Sequence, residues 1–358
     1  MSYPFEIYNK STSVIKEGKV GWKCPSNIAI VKYWGKHGRQ LPKNASLSFT
    51  LTNAHTDTFI SYSENNKGKL SLSFLFEGKL NNAFEEKIIN FLDSVVEFYP
   101  VLNRLHLDIS SSNSFPHSSG IASSASAMAA IAMCICEIDQ NISGNGNSQI
   151  DLKKASYLAR LGSGSASRSV IPLLGAWGVH DKVNGSSDLF AVDIDEVHDV
   201  FKSFHDDILI VSAAEKSVSS TAGHALMNGN VYSEARYQQA NDRITQLKEI
   251  LKTGDVEAFG KLAEDEAMTL HALMMCSDPS YVLLEPGTLD MIREIRAFRQ
   301  RTGTPIYFTL DAGPNIHLLY PDHVSVEAEE FVNQILLPFT ANGRVIKDKV
   351  GNGPQKLV

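Results

Sequence analysis

The chain has 358 residues, 43% of them hydrophobic and 20% charged, with a formal net charge of −7. That length suits one large folded domain or two ordinary ones, and the negative charge excludes a general affinity for nucleic acid or for an anionic membrane surface. No basic-then-apolar leader opens the sequence and no apolar run reaches bilayer length, so a cytoplasmic protein is expected.

The first twenty residues read as an irregular arm. Alternating, β-rich runs follow at 20–23, 28–33, 46–51, 58–63 and 70–76. Helical spacing appears at 84–99, where Ile88, Ile89, Phe91, Leu92, Val95 and Val96 form a broad stripe. A strand at 105–110 leads through a Ser/Pro/Gly loop into a long Ala/Met/Ile helix, 122–138. That helix holds Cys134 and Cys136, which at a spacing of two point to different faces; buried thiols are expected, not a metal or disulfide site. A polar loop at 141–147 and a short helix at 152–161 come next, then a second small-residue loop at 162–167.

Composition turns polar and Asp-rich at 183–197, which places a boundary there and divides the chain into 1–195 and 196–358. Beyond it come a strand at 208–213, helices at 232–251, 256–275 and 289–301, strands at 306–310 and 317–320, and a closing helix at 325–336. Strands and helices mix without regular βα alternation, so the fold class is α+β. Glu264, Asp265, Glu266 and His271 read as a solvated helix face, His271 being the one that could instead be buried. The eleven histidines include no metal-ligand pair at helical spacing, so no protein-bound structural metal is expected.

Four segments carry chemistry. In Phe115-Pro-His-Ser-Ser-Gly-Ile-Ala-Ser-Ser a loop of small residues runs into a helix start, where unpaired N–H groups and the helix dipole favour an anion. Gly120 admits a close backbone approach and Ser123 and Ser124 add hydroxyls. The segment lacks the spacings of a Walker loop or a dinucleotide fingerprint, and it equally suits a Ser-capped helix packed through Ala and Gly. In Asn27-Ile-Ala-Ile-Val-Lys-Tyr-Trp-Gly-Lys an apolar run carries Lys32, costly to bury without an anion, although a lysine there can also snorkel to the surface. Gly162-Ser-Gly-Ser-Ala-Ser-Arg-Ser offers Ser163 and Ser165 hydroxyls and an Arg168 fork able to grip a carboxylate or phosphate; a flexible linker is the alternative, though a linker does not usually carry an Arg into an apolar segment. In Phe308-Thr-Leu-Asp-Ala-Gly-Pro-Asn, Asp311 ends a strand at a Gly-Pro turn, a place for a catalytic carboxylate or for a mere turn cap.

Taken in order, with Leu41-Pro-Lys-Asn-Ala-Ser-Leu-Ser between the strand runs, these segments resemble the mevalonate diphosphate decarboxylases of the GHMP kinase superfamily. The resemblance implies two lobes, the first like a ribosomal-protein-type α+β domain and the second ferredoxin-like. It implies ATP-dependent decarboxylation of diphosphomevalonate to isopentenyl diphosphate, with ATP and Mg²⁺ as cofactors, in a homodimer. By that resemblance Asp311 acts at the 3-hydroxyl, Lys32 supports it, Asn27 steadies the site and Arg168 holds the substrate carboxylate. Tyr33, Lys36, Ser163 and Ser165 receive the diphosphate end. Ser112, Asn113, Pro116, Ser118, Ser119, Gly120, Ile121, Ala122, Ser123 and Ser124 form the nucleotide site, with Ser123 near the Mg²⁺.

The chain departs from the family pattern at His117, Ser118 and Ser119, at Ser167, and at Ile171-Pro-Leu-Leu-Gly-Ala-Trp, where Pro172 shortens a helix. A monophosphate decarboxylase or a 3-kinase of the same superfamily is the alternative enzyme. A non-catalytic sensor would lack Asp311 or Lys32, and neither is lost.

Overall fold

A computed structural model describes residues 4–5, 15–115, 123–144, 146, 148–214 and 218–358. The runs at 20–23 and 28–33 join into one strand, β1 (Gly18–Val31), and those at 46–51 and 58–63 into another, β2 (Ser46–Glu64). The two pair antiparallel along their length, with register breaks after Pro25 and Ala29. At the first break β2 swings away from β1, and Asp348 accepts the N–H groups of Thr52, Asn53 and Ala54 at 2.8, 2.8 and 2.6 Å. A distant carboxylate thus replaces the missing ladder partners and lets one strand continue where the sequence reads as two.

The first sheet runs β10 (Gln355–Lys356), β1, β2, β4 (Leu105–Asn113), β3 (Ser71–Phe76). Only the β3–β4 pair is parallel, and β5 (Leu174–Trp177) adds to the first half of β2. Helices α1 (Asn82–Val95), α2 (Ser123–Ser143) and α3 (Leu152–Gly162) supply much of its core. The Ala-rich face of α2 buries fourteen residues, Cys134 and Cys136 among them, so the helix extends five residues past the 138 expected for it. The one-turn helix α4 (Ala166–Ser169) follows; it stops short of Pro172, and Leu173 takes a positive φ of 58°.

The second sheet is antiparallel, ordered β7 (Tyr307–Thr309), β8 (Ile316–Tyr320), β6 (His205–Leu209), β9 (Val345–Ile346). Around it lie α5 (Ser220–Ala225), α6 (Ser233–Thr253), α7 (Val256–Met275), α8 (Pro286–Thr302) and α9 (Ser325–Phe331). One apolar cluster joins the two sheets: Ile28, Leu47 and Phe49 from the first pack with Phe204, Ile208, Leu247 and Phe259 from the second. The tail then returns to the first sheet, where Trp22 and Lys23 pair with Lys356 and Gln355. Among the described residues no helix is long and apolar enough to cross a membrane.

Two sequence expectations are overturned on α7. Glu264 and Glu266 are buried, the first between Arg296 and Arg299 and the second between Arg236 and Arg243; only Asp265 faces solvent. Local charge density reads as solvated when the neutralising arginines come from elsewhere in the chain.

Candidate active site

Between the two sheets lies a cavity of about 840 Å³. It gathers Asn27, Lys32, Tyr33 and Lys36 from the end of β1 and the turn after it, Ser163, Ser165 and Arg168 from the loop and α4, Ser123 and Ser124 from the start of α2, and Asp311 from the turn after β7. Segments that are far apart in sequence therefore converge on one space.

Lys32 Nζ lies 3.4 Å from Asp311 Oδ1, with the lysine buried and the carboxylate about a quarter exposed. Burial lowers the Lys32 ammonium below its ordinary range, while Asp311 and Glu266 pull it partly back. The backbone of Lys32 is held as well. Its N–H donates to Glu266 Oε2 at 2.8 Å, and its C=O accepts from Asn44 Nδ2 at 2.9 Å and Arg236 at 3.1 Å.

Arg168 is 2% exposed, and its guanidinium donates to Ser46 Oγ at 2.5 Å, to Ser48 Oγ and to Asn27 Oδ1 at 3.4 Å. Among the described residues no carboxylate pairs with it. Burial brings its ordinary value of 12.5 down to about 10, opposed by the more distant Asp311. A buried cation ringed by hydroxyls is an incomplete ion pair, awaiting an anion. Asn27 fixes the arrangement from the other side, donating to Ser169 Oγ at 2.8 Å and to the Ser165 carbonyl at 3.1 Å.

Tyr33 packs edge-on to Trp177 at 4.8 Å, and burial pushes its hydroxyl well up. Gly164 has to be glycine, because a Cβ there would come within 2.9 Å of the Trp177 ring and 3.0 Å of the Tyr33 hydroxyl. Lys36 is half-buried, with its ammonium lowered by burial and 3.1 Å from Gln40 Oε1. Gly35 takes φ +101°, open to glycine, and turns its N–H onto His224 Nδ1 at 2.9 Å.

Next to Ser123 and Ser124 a smaller apolar recess is lined by Phe74, Phe76, Phe84, Met128 and Ile131, with Ser111 and Asn113 at its edge. Ser112 is not brought to either space. It is exposed, since β4 alternates and residues 111 and 113 take the inner face. Pro116, Ser118, Ser119, Gly120, Ile121 and Ala122 lie outside the described residues.

Sequence reasoning missed Ser46, Ser48, His224, Arg236 and Glu266 as parts of this site. Ser46 and Ser48 fall within the Leu41–Ser48 run that carries the resemblance but were given no role, and charges within helices carry no motif. For Glu266 there was a signal: it interrupts the apolar stripe Ala263, Ala267, Leu270, Met274 that faces inward on α7.

A buried lysine–carboxylate pair, a carboxylate-free arginine and a serine-lined helix start in one cleft define an enzyme that binds anionic, phosphorylated small molecules. Residues 24–190 match the diphosphomevalonate decarboxylase-like N-terminal domain, and residues 207–357 match the mevalonate 5-diphosphate decarboxylase C-terminal domain. The diphosphomevalonate decarboxylase of Debaryomyces hansenii is 30% identical over 83% of this chain and 78% of its own length. That of Schizosaccharomyces pombe is 29% identical over 92% and 85%. The solved structure of mevalonate diphosphate decarboxylase from Staphylococcus aureus superposes with a TM-score of 0.81 at 25% identity, covering 96% of this chain and 99% of that one. A structure described as MDDEF in complex with MVAPP, AMPPCP and magnesium superposes at 0.80, with 26% identity and coverage of 96% and 99%. The chain belongs to the diphosphomevalonate decarboxylase family.

Proposed function

We propose that this chain catalyses the ATP-dependent decarboxylation of (R)-5-diphosphomevalonate to isopentenyl diphosphate, releasing ADP, phosphate and carbon dioxide. The observation that carries the reading is the buried, carboxylate-free Arg168 beside the Lys32–Asp311 pair. A tertiary alcohol is a poor leaving group, so it is first converted to a phosphate ester. Asp311 orients the 3-hydroxyl and takes its proton as the oxygen attacks the γ-phosphorus and ADP leaves. Lys32 steadies the charge on Asp311 and on the developing ester. When phosphate departs from C3 with the C3–O electron pair, the carboxylate's C–C pair moves in to form the double bond and carbon dioxide is freed. Arg168 holds that carboxylate in line, and Asn27 holds Arg168.

Tyr33, Lys36, Ser163 and Ser165 receive the diphosphate. Asn113, Ser123 and Ser124 receive the nucleotide, whose base fits the apolar recess beside them. Mg²⁺ takes oxygen ligands and is commonly shared between phosphates and one or two protein groups; the Ser123 hydroxyl, at the helix start beside the nucleotide site, suits that better than an all-protein cage. When bound, the ion neutralises phosphate charge. We further read residues 1–195 and 196–358 as the two lobes of each chain, and the protein as a cytoplasmic homodimer, whose oligomeric state sedimentation would test.

The decisive experiment supplies ATP, Mg²⁺ and mono- or diphosphorylated mevalonate and follows ADP and carbon dioxide separately. Both products from the diphosphate are expected, and Asp311→Asn should abolish both. ADP without carbon dioxide would make the chain a 3-kinase; preference for the monophosphate would reassign the substrate. Turnover of Asp311→Asn near the parent level would remove Asp311 from its role.

A further inference from the structure

Glu266 is a buried charge close to the Lys32 end of the cavity. It is fully buried, and its two oxygens accept four N–H groups: Arg236 twice at 2.7 Å, Arg243 at 2.6 Å and the Lys32 backbone at 2.8 Å. Arg236 closes the loop by donating to the Lys32 carbonyl. The peptide groups on both sides of Lys32 are thus tied to α6 and α7, which belong to the second sheet. Five residues along α7, buried His271 lies with Nε2 3.1 Å from the Asp311 carbonyl oxygen. One helix therefore touches the backbones of both members of the Lys32–Asp311 pair, about 7.5 Å apart along its axis.

We propose that Glu266 and Arg236 are positioning residues for the reaction: with His271 they make α7 a rigid template that sets how far the Lys32 ammonium stands from the Asp311 carboxylate. This rests on the function proposed above. Three features support a positioning role over simple stabilisation. Lys32 lies one residue past the end of β1, just beyond the register shift after Ala29 and the last ladder pair Val31–Leu47, so no ladder partner of its own fixes it. The contacts fall on its backbone, which leaves the ammonium free to face Asp311. The carboxylate also acts on the lysine electrostatically. Burial alone would raise the Glu266 carboxyl, but the arginines more than reverse that and keep it ionised. Ionised, it holds the Lys32 ammonium up alongside Asp311 and Asp206, while Arg236 and Arg243 both pair with it.

The test compares Glu266→Gln with Glu264→Gln. Glu264 is a buried, arginine-paired carboxylate on the same helix with no contact to Lys32. The parent enzyme is first shown to release carbon dioxide from diphosphomevalonate, so failure of the functional reading is seen separately. Both variants should lose thermal stability. Only Glu266→Gln should lower kcat, by about 10²-fold for a displaced reacting pair, with the KM for ATP unchanged. Its kcat–pH profile should also lose its basic limb at lower pH, because Lys32 has lost a neighbouring anion. If Glu266→Gln does not fold, Arg236→Lys removes the guanidinium fork gripping Glu266 and the Lys32 carbonyl while keeping the charge, and the same loss of kcat is expected. A folded variant with parent kcat and parent pH profile would reduce the cluster to a stability element and overturn the proposal.

Discussion

Arg168→Gln is expected to move activity and stability in opposite directions. In the free protein the guanidinium is buried against three neutral partners, Ser46, Ser48 and Asn27. Its fall from 12.5 to about 10 corresponds to about 3 kcal/mol of penalty on the charged form. Glutamine keeps a donor toward Ser46 and removes that penalty, so the unliganded variant should be as stable as the parent or more so, by up to about 3 kcal/mol. The substrate carboxylate, in contrast, loses its charged partner. Such a loss costs about 2–5 kcal/mol, or about 30- to 5,000-fold in kcat/KM. Diphosphomevalonate should raise the melting temperature of the parent and barely move that of the variant. Differential scanning fluorimetry with and without substrate, beside steady-state kinetics, checks both halves. A variant that melts lower without ligand and still keeps parent kcat/KM would refute the assignment of Arg168 as an unfilled half of an ion pair.

Two buried groups give pH effects of opposite sign. Burial, with Lys36 and Arg168 nearby, lowers His224 from 6.5 to about 3, so the folded state holds it neutral while the unfolded chain protonates it. Stability should fall by about 1.4 kcal/mol per pH unit between those values as pH drops, and His224→Asn should flatten that limb in urea titrations. Burial raises Asp207 from 3.8 to about 6, so the folded state binds its proton more tightly and carries the full cost of the charge above that range. Asp207→Asn, which keeps an acceptor for the Tyr320 hydroxyl at 2.8 Å, should therefore stabilise the protein at neutral pH by up to about 3 kcal/mol. A lower neutral-pH melting temperature would contradict it.

What was legible in the sequence is what is local. The Asn27–Lys36, 162–169 and Asp311 segments each concentrate their chemistry within a few residues, and the structure brings all three to one cavity. Helix periods were readable for the same reason, since one stripe per helix meets a core. The errors fall where a partner is remote. β2 looks like two strands until Asp348, nearly three hundred residues on, supplies the missing acceptors. Ser112 and Asn113 look equivalent beside the loop, yet strand parity sends one outward. Glu266 looks solvated until the guanidinium groups of α6 arrive.

The balance of charge in the cavity gives the substrate its character. Among the described residues Lys32, Lys36, Arg39, Lys87 and Arg168 line it, against one carboxylate, Asp311. Lys32 is matched by Asp311, and Arg39 by Glu97 outside. Lys36, Lys87 and Arg168 are left to meet ligand anions, inside a protein whose overall charge of −7 repels them at a distance. Attraction must then be local, felt within about 10 Å and focused by the low-dielectric walls. The three cations also stand on different elements, with Arg168 buried on α4 and Lys36 half-buried past the end of β1. A ligand carrying a single anionic group satisfies only one of them. One with a carboxylate at the reacting end and phosphates at the other satisfies the deep and the shallow cation together, and its carboxylate is placed by the same contact that neutralises Arg168. Binding energy at the phosphate end thereby holds the carboxylate where the chemistry needs it.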